Sequence, residues 1–174
     1  GLPCLPLDGD REDAETPELT LQKALLHPLA ALEGYGTPST ERVSQRIIEL
    51  AERLEDHGSL FAALDGVVIV HIGRGECLEA ARIADRMIEV ADLSRNEGQR
   101  MNALMWARIA RHHLGDLHVA QQHADACIQI GTASNQAARL TTVFDPVVAT
   151  LCQSSRNLWM LGDTRGCVER ANRA

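Results

Sequence analysis

After Pro17 the apolar positions of this chain fall into helical spacing and hold it to the last residue. Small or apolar residues stand at Ala80, Ala84, Met87, Ile88 and Ala91. The offsets trace one stripe down a helix. Forty residues on, the stripe recurs as Ala120, Ala124, Cys127, Ile128 and Gly131. Thirty-seven residues back it stands as Val43, Ile47, Leu50, Ala51 and Leu54, and 47 beyond Ala120 it restarts as Cys167, Ala171 and Ala174. Four copies of one stripe make an internal repeat.

A second apolar helix precedes each copy. These are Leu21, Leu25, Leu29 and Leu32; Leu60, Leu64, Val67, Val68 and His71; Ala103, Ala107, Ala110 and Leu114; and Val147, Leu151, Leu158 and Leu161. Pro28 is expected to kink the first of them or mark a fresh start. Gly-Glu or Gly-Asp closes the last three, at Gly75, Gly115 and Gly162. Glycine ends a helix in the left-handed conformation, and the acidic residue caps the next. The unit is helix, tight turn, helix, and it buries its faces only by stacking. Predicted helices cover 18–33, 39–55, 59–73, 77–93, 97–114, 117–131, 145–161 and 165–174. Residues 1–17 read as a linker or irregular lead-in to a repeat domain over 18–174, and Thr132–Phe144 as an exposed loop.

Composition narrows the class. The chain has 174 residues, 45% apolar and 3% aromatic, rich in Ala, Leu, Arg and Glu. That favours helices over a β-sandwich or barrel. A net charge of −7 argues against direct nucleic-acid contact or an anionic membrane surface. The run Val67–Val70 is far too short to span a bilayer. Five widely spaced cysteines, Cys4, Cys77, Cys127, Cys152 and Cys167, fit neither a disulfide framework nor a zinc site. Buried reduced thiols in a cytoplasmic protein fit better. The sequence opens without Met and its last stripe is still running at Ala174, so a fragment of a longer protein is expected, with Gly1 a cloning remnant.

Candidate chemistry is sparse. His112, His113, His118 and His123 fall around one helix–turn–helix corner, but no acidic or Cys ligand joins them at a metal-binding spacing. They read as solvated or capping residues, and no metal or cofactor is expected. The cysteines lack a paired base and read as small packing residues, not nucleophiles. No Ser-His-Asp order, carboxylate pair or HExxH stands in the chain, so no catalysis is assigned. Asp65-Gly66 inside a helix suggests a close helix approach. Trp106 and Trp159 read as packing between repeats.

The unit resembles the tetratricopeptide repeat, with a Gly five positions before a small residue at Gly75/Ala80, Gly115/Ala120 and Gly162/Cys167. It is longer than the usual ~34 residues. Nearly the whole chain is similar to the helical-repeat region of bacterial STAND-class predicted ATPases, fused to winged-helix, kinase or cyclase modules. The resemblance rests on Gly34-Tyr35-Gly36-Thr37-Pro38-Ser39, on Arg111-His112-His113-Leu114-Gly115-Asp116 with Ala120-Gln121-Gln122-His123, and on Phe144-Asp145-Pro146-Val147-Val148 with Asn157-Leu158-Trp159-Met160-Leu161-Gly162-Asp163. The chain departs from it at Pro146 and Val147, where the family carries Gln and Arg. The resemblance implies a right-handed α-solenoid of about four repeats in a transcriptional or signalling regulator. Its ATPase lies outside this chain, which holds no GxxxxGK[ST] loop.

The first helix of each unit lines the concave side of such a stack. Opposite the core those helices carry Asp65, His71, Met105, Arg108, His112, Gln153, Arg156 and Asn157. A groove holding Arg108 and Arg156 suits a peptide carboxylate or another anion. The expected partner is a protein or peptide, or a small effector in a closed pocket. A structural spacer or dimerisation arm forming a homo-oligomer is the third reading.

Overall fold

The computed structural model describes residues 8–34, 36–133 and 145–174. Tyr35, Phe144, Cys4 and most of the expected loop 132–144 lie outside the described residues. Every element among the described residues is an α-helix: α1 Asp8–Glu33, α2 Pro38–Arg53, α3 His57–Arg74, α4 Cys77–Leu93, α5 Glu97–His113, α6 Leu117–Ala133, α7 Pro146–Met160 and α8 Thr164–Arg173. None is long and apolar enough to cross a membrane. From α2 onward each helix begins and ends within two residues of the span its periodicity predicts.

The first helix differs. It starts at Asp8, not Glu18, and runs through both Pro17 and Pro28. The stretch 8–17 is therefore helical, not an irregular lead-in, and Pro28 marks no fresh start. The stripe expected on α1 also fails. Leu21, Leu25 and Leu32 are exposed, whereas Leu19 and Ala30 are buried, with Gln22, Leu26 and Leu29 half-buried between them. This helix has leucines on two faces, and α2 packs on one. Across that contact the Arg46 guanidinium donates to both Glu18 oxygens at 2.6 and 2.7 Å, and Arg53 reaches Glu15 at 2.9 Å.

One turn geometry joins most of the helices. At the α5–α6 corner Gly115 N–H donates to the His112 carbonyl and Asp116 N–H to that of Arg111. This is the Schellman pairing, with Gly115 at φ +84°. The same two bonds recur at Gly75/Glu76 and Gly162/Asp163, and also at Glu55/Asp56 and Arg95/Asn96. Glu55 and Arg95 adopt φ +52° and +51° without being glycine. At three of these turns the following residue caps the next helix: Asp56 Oδ1 accepts from Ser59 N–H, Asn96 Oδ1 from Gln99 N–H, and Asp163 Oδ1 from Gly166 N–H, whereas Glu76, expected to cap α4, makes no side-chain cap bond. For Asp56, burial raises the carboxyl pKa, but the Ser59 hydroxyl and N–H outweigh it and hold it below the usual range.

A left-handed non-glycine residue costs roughly 1–2 kcal/mol, more than glycine loses in chain entropy. Glu55→Gly is therefore expected to stabilise the chain by about 0.5–1 kcal/mol, raising Tm by roughly 2 °C. A thermal melt showing a lower Tm than wild type contradicts that reading of the turn.

The chain divides into two compact units, residues 1–67 and 68–174. In the first, Ile47, Leu50, Ala51, Leu60, Phe61 and Leu64 are buried. In the second, α4 packs on α5, α5 on α6, α6 on α7 and α7 on α8, and α5 also touches α7. Its core holds the stripe residues Ala80, Ala84, Met87, Ala120, Ala124 and Cys127 without measurable exposure. Met101, Leu104, Ile128, Val147 and Leu151 pack around Cys127. A close helix approach occurs at Gly131, where a Cβ would lie 2.0 Å from Val147 Cγ2. It does not occur at Gly66, whose Cβ position is open. The fourth stripe is not covered: no residue of α8 is buried.

Candidate functional site

The face of α5 expected to be solvated is largely covered, because α7 lies against it as well as α6. Met105 is buried in the core and Asn157 is buried on α7. Arg108 retains 1% of its exposure. His112 and Gln153 are half-buried, and Arg156 is exposed. Asp65 is half-buried in the first unit. His71, half-buried on α3, has its Nδ1 2.6 Å from Glu76 Oε2. It borders a cleft of about 520 Å³ shared with Glu76, Cys77, Leu78, His113 and Leu114.

A polar seam joins the facing sides of α5, α6 and α7. Asn157 Nδ2 donates to the Leu117 carbonyl at 2.8 Å and to Gln121 Oε1 at 3.2 Å. With that amide nitrogen committed, Asn157 Oδ1 accepts from His112 Nδ1–H at 3.0 Å. Gln121 Nε2 donates to Ser154 Oγ at 2.9 Å and to Asp125 Oδ1 at 3.0 Å. Deeper, Thr150 Oγ1 meets Cys127 Sγ at 3.5 Å. Burial pushes the Cys127 thiol pKa up, so it stays protonated. Ser154, Thr150 and Gln121 carry no charge and are not among the residues expected to line the groove. Their spacing was the available signal: Thr150, Ser154 and Asn157 stand at i, i+4 and i+7 on one side of α7.

Arg108 stands beside this seam and takes no part in it. Its Nε and Nη2 are both enclosed without a hydrogen-bond partner. Burial, opposed by the Cys127 sulfur and reinforced by the Arg156 charge, lowers its pKa to about 10. That displacement corresponds to about 3 kcal/mol against the charged form. Burial and the charges of His112, Arg156 and Arg108 likewise depress the His113 pKa. His113 and His112 meet edge to face, with centroids 5.5 Å apart. Other arginines find a carboxylate, although Arg111 Nε is also enclosed without a partner. Arg111 reaches Asp85 at 2.6 Å across α4–α5, and Arg170 pairs with Asp125 across α6–α8.

Two expectations about packing change. Trp159, at the end of α7, is 64% exposed and does not pack between repeats. Cys152 is exposed, and Cys77 and Cys167 are partly so; only Cys127 among the described cysteines is a buried thiol. Among the described residues no three His, Cys, Asp or Glu side chains gather as a metal site requires. A second cleft, about 670 Å³, opens between α4, α5 and α6 and is bordered by Asp92, Arg95, Arg100, Gln129 and Ile130. No protein-family model matches the chain, and no curated protein matches it significantly.

Proposed function

We propose that the chain is a right-handed α-solenoid of about four tetratricopeptide-like repeats. It serves as a non-catalytic interaction or sensing module of a cytoplasmic bacterial regulator, relaying partner binding to an ATPase outside the chain. The regulator context rests on the sequence resemblance. Support for stacked repeats comes from the turn residues Asp56, Glu76, Asn96 and Asp116, which stand at a constant step of 20. A helix that also touches its second neighbour, as α5 touches α7, is what stacked hairpins produce.

The observation that carries a binding role is Arg108, enclosed and unpaired beside a fully bonded polar seam. Buried charges are ordinarily paired, and an exception calls for an explanation. A partner that docks on the α5–α7 face supplies one. Panning a random-peptide display library against the chain tests this. Selected peptides should compete with one another, perturb the NMR signals of His112 and Asn157, and lose affinity on Arg156→Glu. Failure to select any such peptide removes the interaction reading. A metabolite that shifts the melting temperature through the same residues, without a peptide, selects the small-effector reading.

A further inference from the structure

We propose that Arg108 and Arg156 form a receptor for an oxyanion, a carboxylate or phosphoryl group, between α5 and α7. The proposal rests on the interaction reading and names the chemistry of what binds. Three observations converge on it. First, the unpaired atoms of Arg108 are Nε and Nη2, the two nitrogens along one edge of the guanidinium. That edge matches the paired oxygens of a carboxylate or phosphate in a bidentate bond. Second, the seam brings an imidazole to the same place. His112 lies one turn beyond Arg108 on α5, and its bond to Asn157 ties it to the residue after Arg156 on α7. Third, no carboxylate answers this cluster. The Asp and Glu side chains that bond to the neighbouring arginines go to Arg111, Arg100 and Arg170. Arg108 acts on His113 and Arg156 acts on both; the one opposing influence on Arg108 is the Cys127 sulfur, and no carboxylate acts on either.

The seam residues that α7 contributes have bonds of their own. Asn157 is committed to Leu117, Gln121 and His112, and Ser154 to Gln121. An anion entering from solvent meets exposed Arg156 first, then closes on Nε and Nη2 as α5 and α7 part or Arg108 turns outward. Enclosure of those atoms in the unliganded chain makes the exchange favourable. It also couples anion binding to the α5–α7 contact, which is where a sensing module needs its movement.

Thermal unfolding of the full chain tests the receptor, with inorganic phosphate, succinate and chloride compared at equal ionic strength. Phosphate or succinate should raise Tm saturably, by on the order of 5 °C or more at about a hundredfold excess over Kd. A response to succinate alone assigns a carboxylate, and one to phosphate alone a phosphoryl group. Without anion, Arg108→Met should melt at or above wild type, because an unpaired buried charge is replaced by an apolar side chain of similar length. It should show no saturable shift. Arg156→Gln should keep the shift and raise its midpoint about tenfold, the loss of one charged hydrogen bond. If Arg108→Met does not fold, Arg108→Lys keeps the charge without the fork and should lose the shift. A saturable shift that survives in whichever Arg108 variant folds, or no shift in wild type with either anion, overturns the receptor. Loss of the anion response while selected peptides still bind defeats this inference alone; the absence of any peptide leaves the anion titration standing.

Discussion

Ala120→Asp is expected to abolish the cooperative folding of residues 68–174. Ala120 has no measurable exposure, and it sits on the first turn of α6 where α5 packs against it. A carboxylate placed there loses its water and gains no partner. The charged seam residues lie on other positions of the helix, and Asp116 upstream would repel it. An uncompensated buried charge costs about 3–5 kcal/mol, a large share of the 5–15 kcal/mol that holds a typical domain. The loss should lower Tm by on the order of 10 °C, or leave no folded protein. Val119→Asp is the matched control. Val119 precedes Ala120 but is 37% exposed, so its carboxylate stays hydrated and Tm should move little. Circular dichroism melts of the two variants decide the matter. Equal transitions would mean that the repeated stripe is not the packing face.

The same comparison explains how much of this molecule the sequence pattern reveals. Ala80, Ala84, Ala120 and Ala124 were legible because small residues at helical spacing are informative when the spacing itself recurs. Helix ends were legible where Gly and an acid punctuate them. The turns at Glu55 and Arg95 carry the same geometry without glycine, and only the 20-residue step from Asp56 to Asn96 betrays them. Periodicity fixes which side of a helix is apolar but not how many neighbours cover it. Hence Leu21, Leu25 and Leu32 look like core and are exposed, because α1 offers two leucine faces and α2 takes the other. Arg108 fails in the opposite sense. A charged residue opposite the main stripe reads as solvated, and it is buried because α7 closes over α5 from two positions along the chain. Contacts beyond the nearest neighbour leave no local signature. For the candidate site this means that Arg108, Arg156, His112 and Asn157 were legible as residues, while their burial and bonding were not.

Gly131→Ala and Gly66→Ala make one substitution in two helices, and they are expected to act with opposite sign. Alanine gains about 1 kcal/mol of helix propensity over glycine in either place. At Gly66 nothing lies within 4 Å of the new Cβ, so the gain stands and Tm should rise by a few degrees. At Gly131 the Cβ falls 2.0 Å from Val147 Cγ2, 3.5 Å from Val147 Cβ and 3.1 Å from Met101 Sδ. Methionine can yield, but valine is stiff about χ1 and cannot move its Cβ without its backbone. That backbone is anchored at the start of α7 by the Pro146 ring and by Asp145 Oδ1, which accepts from Val147 N–H at 2.8 Å. Overpacking of this kind costs about 1–3 kcal/mol. The net effect should be a loss of about 1–2 kcal/mol, carried by the parting of α6 and α7. Val147→Ala provides the check, because it removes the methyl in question. In that background Gly131→Ala should cost less than in wild type or turn stabilising, an interaction that a double-mutant cycle reads directly. If Gly131→Ala costs the same with and without Val147, the close approach of α6 to α7 is not where the penalty arises, and the tight seating of α7 that encloses Arg108 loses its support.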